Sequence, residues 1–172
     1  MEKEKLTIYI KPSEIMRRVK QLASQINEDY KHKIPIFIGV LNGSFIFMSD
    51  LIREIKVNCE IDFLKLSSYG DSKISKGEVR TLKELNCDVR GRDVIIVEDI
   101  IDTGLSMKYI IRLIKLHKPN SIKIAALLHK YEMTKYKIKI DYLGFKIPNK
   151  FVVGYGLDFA QKYRNLKGIY VL

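Results

Sequence analysis

The run from Val94 to Met107 constrains this chain more tightly than any other stretch. Four consecutive apolar residues, Val94 to Val97, meet two adjacent carboxylates, Glu98 and Asp99. Two isoleucines and a third acid, Asp102, follow, and the run closes on Thr103-Gly104-Leu105-Ser106. An apolar run without alternation suits a strand buried on both faces, as in a parallel sheet. After Gly104 the apolar residues Met107, Ile110, Ile111 and Ile114 fall at i, i+3, i+4 and i+7, the spacing of an amphipathic helix. The expected unit is strand, small-residue turn, helix. In open parallel sheets ligands bind at the carboxyl ends of strands, where a helix N-terminus offers unpaired N–H groups to phosphate. Thr103, Gly104 and Ser106 suit a tight, hydroxyl-rich phosphate cup, and Glu98 and Asp99 could meet a sugar or a metal. A plain strand–helix unit with surface acids explains neither three acids within five residues nor their place ahead of Thr-Gly.

The flanking sequence repeats the alternation of strand and helix. Leu6 to Ile10 reads as a short strand, and Pro12-Ser13 open a helix with Ile15, Val19, Leu22, Ala23 and Ile26 on one face. Ile34 to Val40 reads as a buried strand that meets Leu41-Asn42-Gly43-Ser44 and a helix from about Phe45 to Glu54. Ile61 to Ser67 is a third strand, followed by a polar stretch from Ser68 to Gly77; Thr81 to Leu85 and Ser121 to Leu128 read as further strands. The pattern predicts an α/β fold with a largely parallel sheet flanked by helices. The tail from Tyr142 to Leu172, short apolar pieces with Gly and Tyr, is expected to form a small hood together with the N-terminal segment. No repeat or linker divides the chain, so 1–172 is expected to be one domain.

Composition narrows the classes further. No stretch approaches the roughly 18 apolar residues of a membrane span, and Met1-Glu2-Lys3-Glu4-Lys5 lacks the apolar core of a secretory signal. Two cysteines, Cys59 and Cys87, fit free thiols in a reducing cytoplasm. The net charge of +11 suits either a nucleic acid or a polyanionic small molecule. The lysines are dispersed, with no Arg-rich tract or aromatic-interleaved RNA motif, so no nucleic-acid or membrane partner is expected.

The run from Val94 to Met107 resembles the signature of the type I phosphoribosyltransferases, which grip the ribose-5-phosphate end of phosphoribosyl pyrophosphate. The resemblance extends from about Leu6 to Leu172 in unbroken motif order and is to the 6-oxopurine members of that family. It implies transfer of a 5-phosphoribosyl group to N9 of hypoxanthine or guanine, giving IMP or GMP and pyrophosphate, with Mg²⁺ as cofactor and a homodimer or homotetramer as the assembly. Ribose 5-phosphate would be held by Glu98, Asp99, Asp102, Thr103, Gly104, Leu105 and Ser106, with Asp102 also the general acid/base. Pyrophosphate would meet Leu41, Asn42 and Gly43, with a cis Leu41–Asn42 peptide, together with Ser68, Tyr69 and Arg164. The purine would meet Lys130, Phe151, Val152 and Asp158. Metal would be held by Glu98 and Asp99, and Asp158 would read the base or hold a second ion. The stretch from Ser68 to Gly77 would close over the site.

Each role has an ordinary alternative and a chemical reason. A Lys after a strand is usually a solvated edge residue, yet an ammonium beside O6 favours oxopurines over adenine, whose 6-amino group is itself a donor. Phe151 could be plain hood packing, or an aromatic face for a flat heterocycle. The chain departs from the family pattern at Asn42, where relatives usually carry Lys or Arg, and at Tyr131-Glu132-Met133-Thr134-Lys135, where basic residues are usual. Ser106 replaces a common Thr and keeps the hydroxyl. Two other readings stay open at this point: a regulatory protein of this fold that binds RNA or nucleotide, and a phosphoribosyltransferase for another base such as xanthine.

Overall fold

The structure, a computed structural model, describes residues 6–68, 79–83 and 85–172. Its main sheet contains β2 (Ile36–Leu41), β3 (Glu60–Ser68), β4 (Val79–Lys83), β5 (Asp93–Ile101), β6 (Ser121–Lys130) and β7 (Tyr142–Ile147), in the spatial order β4-β3-β2-β5-β6-β7. Five strands, from β3 across to β7, run parallel, and β4 closes one edge antiparallel to β3. Helices α1 (Pro12–Asp29) and α2 (Phe45–Glu54) pack against one face, α3 (Leu105–Leu116) against the other.

The central strand β5 shows why the pattern gives this layering. Ile95 and Val97 are buried in one cluster with α1 and α2, whereas Val94 and Ile96 are buried in the other with Met107, Ile110 and Ile114 of α3. A strand covered on both faces needs apolar residues at every position. Helix α1 begins at Pro12, whose missing N–H costs nothing in the first turn. The Glu14 carboxylate accepts the Lys11 N–H at 2.9 Å. Its apolar stripe, Ile15, Val19, Leu22, Ala23 and Ile26, is fully buried as the spacing predicts. None of the described helices is long and apolar enough to cross a membrane.

The start of the tail departs from the expected hood of 142–172 with the N-terminal segment. Tyr142–Ile147 adds to the main sheet as β7, in register with β6 from Ala125 opposite Tyr142 to Lys130 opposite Ile147. Gly144 lets the two strands approach, since a Cβ there would stand 2.3 Å from the Leu127 carbonyl oxygen. The hood sheet is smaller and joins both ends of the chain: β1 (Thr7–Ile10), β9 (Ile169–Val171) and β8 (Val152–Val153), antiparallel, in the order β1-β9-β8.

Candidate active site

The turn between β5 and α3 forms a small cavity of about 90 Å³ lined by Glu98 and residues 100–107. Pairing with β6 continues to Ile101 opposite His129, so Glu98 and Asp99 lie near the carboxyl end of the strand. Gly104 precedes the first residue of α3 at φ 85°, a left-handed conformation that glycine adopts without steric cost. The Thr103 hydroxyl accepts the Leu105 N–H at 3.3 Å, and the Thr103 carbonyl accepts N–H bonds from Lys135 and Tyr136 at 3.1 and 3.2 Å. The cup's first residue is thereby fixed from two sides. Unpaired N–H groups at the start of a helix favour an anion, and Asp102 through Ser106 supply the rim.

Behind the cup, Glu98 and Asp99 are both 8% exposed. Burial, reinforced by the neighbouring Asp99 carboxyl, pushes Glu98 well above the ordinary carboxylate range. Burial also raises Asp99, against the opposing pull of the Arg164 charge. Two adjacent buried acids of this kind could hold a hard cation, which would favour their charged forms.

The loop after β2 reaches these acids directly. The Leu41–Asn42 peptide is cis, as the resemblance implies. Ser44, fully buried, donates its hydroxyl to the Val40 carbonyl at 2.6 Å and fixes the turn into α2. A Cβ on Gly43 would lie 1.7 Å from Asp99 Oδ2. On the loop's other side Gly156, at φ 100°, would place a Cβ 2.1 Å from the Gly43 carbonyl oxygen. Asp99, Gly43 and Gly156 are thus stacked in immediate contact, and the hood, the loop and β5 meet there.

Asp102 lies at the cup's edge next to Lys130, the last residue of β6, with Nζ 3.6 Å from Oδ2. The other carboxylate oxygen, Oδ1, is buried and takes no hydrogen bond among the described residues. A buried acceptor without a partner is costly, and a ligand N–H would satisfy it.

The hood residues divide. Phe151 is 52% exposed and holds Phe159 edge-on, with ring centroids 5.6 Å apart; packing alone does not account for so open an aromatic. Val152 is buried in β8 opposite Val171. The Asp158 Oδ1 pairs with Arg164 at 2.8 Å, and its Oδ2 accepts the Gln161 N–H at 2.8 Å. Arg164 also donates to the Gly156 carbonyl at 2.8 Å, so its guanidinium braces the hood loop that rests on Gly43. Ser68 ends β3, with Val79 of β4 opposite it. Tyr69, and the expected closing loop beyond it to Gly77, lie outside the described residues.

Sequence reasoning missed Gly156 and Tyr155. The Tyr155 hydroxyl donates to Asp50 of α2 at 2.7 Å and ties the hood to the helix that follows the Leu41–Gly43 loop. The glycines on both sides of Tyr155 were the available signal. Nothing local in the sequence pairs residue 155 with residue 50.

The sequence pattern of the phosphoribosyl transferase domain matches residues 8–160. The chain belongs to the phosphoribosyltransferase family. It is 47% identical over 165 residues to the hypoxanthine-guanine phosphoribosyltransferase of Bacillus subtilis, covering 96% of this chain and 92% of that one. It is 46% identical over 172 residues to the protein of the same name from Streptococcus pyogenes, covering 100% and 96%. A crystal structure of a hypoxanthine-guanine phosphoribosyltransferase from Bacillus anthracis superposes with a TM-score of 0.92 at 42% identity, over 96% of this chain and 98% of that one.

Proposed function

We propose that this phosphoribosyltransferase serves purine salvage, moving the 5-phosphoribosyl group of phosphoribosyl pyrophosphate to N9 of hypoxanthine or guanine. The observation that carries the reading is the phosphate cup ending in Asp102 with Lys130 at its side. The ends of β5 and β6 would thereby join a sugar-phosphate anchor, a proton acceptor and a donor for an exocyclic oxygen. The full-length relatives bearing that activity in their names support it.

The residues divide the work as follows. Asp102 through Ser106 hold the 5′-phosphate at the start of α3. The loop from Leu41 to Gly43 turns backbone N–H groups toward pyrophosphate, which needs no charge at Asn42. Glu98 and Asp99 orient the ribose diol and are the residues that would hold Mg²⁺, a cation commonly bound through one or two carboxylates plus substrate oxygens. Bound there, Mg²⁺ would supply neutralising charge to the pyrophosphate leaving group. Lys130 donates to O6, and Phe151 stacks on the purine. As the C1′–N9 bond forms and the C1′–O bond to pyrophosphate breaks, the purine N7 proton passes to the buried Oδ1 of Asp102. Much of the acceleration comes from holding two substrates in line, and the buried acids stabilise the cationic sugar as the leaving group departs. The site works in the reducing interior of the cell, and a closed assembly of identical subunits carries it.

Purified protein incubated with phosphoribosyl pyrophosphate, Mg²⁺ and hypoxanthine should release one pyrophosphate per IMP formed. Absence of IMP under those conditions would refute the assignment.

A further inference from the structure

A groove of about 610 Å³ shares no lining residue with the phosphate cup. Its apolar lining is Ile111 of α3, Ile122 and Ile124 of β6, and Ile138 of the extended segment between β6 and β7. Around them stand six lysines: Lys108 and Lys115 from α3, Lys123 from β6, and Lys135, Lys137 and Lys139 from that segment. The alternation Lys137-Ile138-Lys139-Ile140 suits an extended chain that buries one side and turns ammonium groups outward.

The charge balance of the groove is one-sided. Its only lining carboxylate is Asp141, and both oxygens are taken: Oδ1 lies 3.1 Å from Lys139, and Oδ2 accepts the Ile124 N–H at 3.0 Å. Lys123 is held by Asp29 at 2.8 Å, and Lys108 lies over the Tyr136 ring at 4.6 Å. Lys115, Lys135 and Lys137 pair with no carboxylate among the described residues. By contrast, the cavity of about 390 Å³ that includes Lys20 and Asn27 of α1 mixes Lys31 and Lys56 with Glu28 and Glu54, and Val57 is its single apolar lining residue. An apolar floor beside three ammonium groups that pair with no carboxylate among the described residues is complementary to a molecule that is apolar in its body and multiply anionic at its edge. The volume falls within the roughly 300–1,000 Å³ of small-molecule sites. A single-stranded nucleic acid would want successive aromatic platforms, and the one aromatic here, Tyr136, already carries Lys108.

We propose that this groove is a second binding site, for a small amphipathic polyanion whose apolar body rests on the isoleucines and whose negative groups meet Lys115, Lys135 and Lys137. The site is separate from the proposed transferase chemistry and stands whether or not that assignment holds.

The probe is bis-anilinonaphthalene sulfonate, an aromatic dianion whose fluorescence rises on entering an apolar site. Titrated into the full chain with saturating GMP and Mg²⁺ present, it should bind saturably at one site per subunit. The double variant Lys115→Glu/Lys137→Glu should raise its Kd by at least about tenfold, a loss of roughly 1.4 kcal/mol. The matched variant Lys20→Glu/Lys31→Glu should leave Kd unchanged, and both variants should keep the wild-type circular dichroism spectrum. An equal Kd in wild type and groove variant overturns the proposal, as does equally tight binding of a neutral aromatic of the same size. Displacement of the dye by a short single-stranded RNA at lower concentration than by any small anion also overturns it, in favour of a nucleic acid. If the groove variant instead dissociates an oligomer, the face is an interface between copies, and the small-ligand proposal fails.

Discussion

Replacing Gly43 by alanine tests whether the loop proposed to hold pyrophosphate bears directly on Asp99. The added Cβ would stand 1.7 Å from Asp99 Oδ2 and 2.5 Å from its Cγ. Ordinary carbon contacts lie at about 3.5–4.0 Å, so loop and acid must separate by well over about 1 Å. Asp99 has little room to yield, because it is 8% exposed and its Oδ1 accepts the Ile100 N–H at 3.0 Å. The loop cannot retreat freely either, because Gly156 closes on the Gly43 carbonyl. Overpacking of a filled site costs about 1–3 kcal/mol, which for a chain of this length lowers Tm by about 2–4 °C per kcal/mol. Gly43→Ala should therefore lose several degrees of Tm. Its kcat/KM for phosphoribosyl pyrophosphate should fall by at least about tenfold, equivalent to roughly 1.4 kcal/mol. The decisive assay is a double-mutant cycle with Asp99→Ala, which deletes the clashing atoms. In that background Gly43→Ala should cost little further stability, a coupling of roughly 1 kcal/mol or more. Wild-type Tm and kinetics in Gly43→Ala, or additive losses in the cycle, would show that the loop does not rest on Asp99.

Three further outcomes are expected. Asp102→Asn should lower kcat by about 10²–10⁴ while the donor Kd, read by calorimetry, changes little; a near-normal kcat would remove Asp102 from proton transfer. Phe151→Ala should raise KM for hypoxanthine by an amount equivalent to about 1–3 kcal/mol yet leave Tm within a degree or so, since the ring is 52% exposed; a large Tm loss with normal KM would make Phe151 a packing residue. Asp62, 7% exposed, accepts N–H bonds from Phe63, Asn86 and Cys87 and pairs with Lys83. Burial opposes its ionisation, but these contacts outweigh burial and hold the carboxyl down at about 2. A folded value below the unfolded one stabilises the fold above about pH 4, and that stability is lost as pH falls toward 2. It amounts to about 2 kcal/mol. Chemical denaturation of Asp62→Asn between pH 7 and pH 2 should show a shallower acid limb than wild type.

The sequence was most legible where one short segment carried both pattern and chemistry. Val94 to Met107 announces a doubly buried strand, a tight turn and a helix because each periodicity is uninterrupted, and the acids and hydroxyls sit inside it. Pairing with β6 carries β5 through Glu98 and Asp99 to Ile101, so the acids stand near the strand's end. The start of the tail misled. Tyr142–Ile147 contains a Gly and a Lys and reads as hood, yet that glycine allows close approach to Leu127 in the main sheet. Asp158 reads as a free carboxylate until its neighbours Gln161 and Arg164 are seen to occupy it. The contacts of Gly43 with Asp99 and of Tyr155 with Asp50 join residues far apart in sequence, and no spacing rule within a single chain encodes them.

In the proposed function, Lys130 and Asp102 together make this phosphoribosyltransferase a reader of 6-oxopurines. Their Nζ and Oδ2 atoms stand 3.6 Å apart at the edge of the phosphate cup. The most direct measurement is kcat/KM for hypoxanthine, guanine, adenine and uracil, each with saturating phosphoribosyl pyrophosphate, in wild type and in Lys130→Ala. Hypoxanthine and guanine should exceed adenine and uracil by at least roughly 10²-fold. Lys130→Ala should narrow that gap through a KM effect on the oxopurines of about 1.5–3 kcal/mol, the range for a lost charged hydrogen bond. Preference for adenine or uracil, or unchanged discrimination in Lys130→Ala, would contradict it.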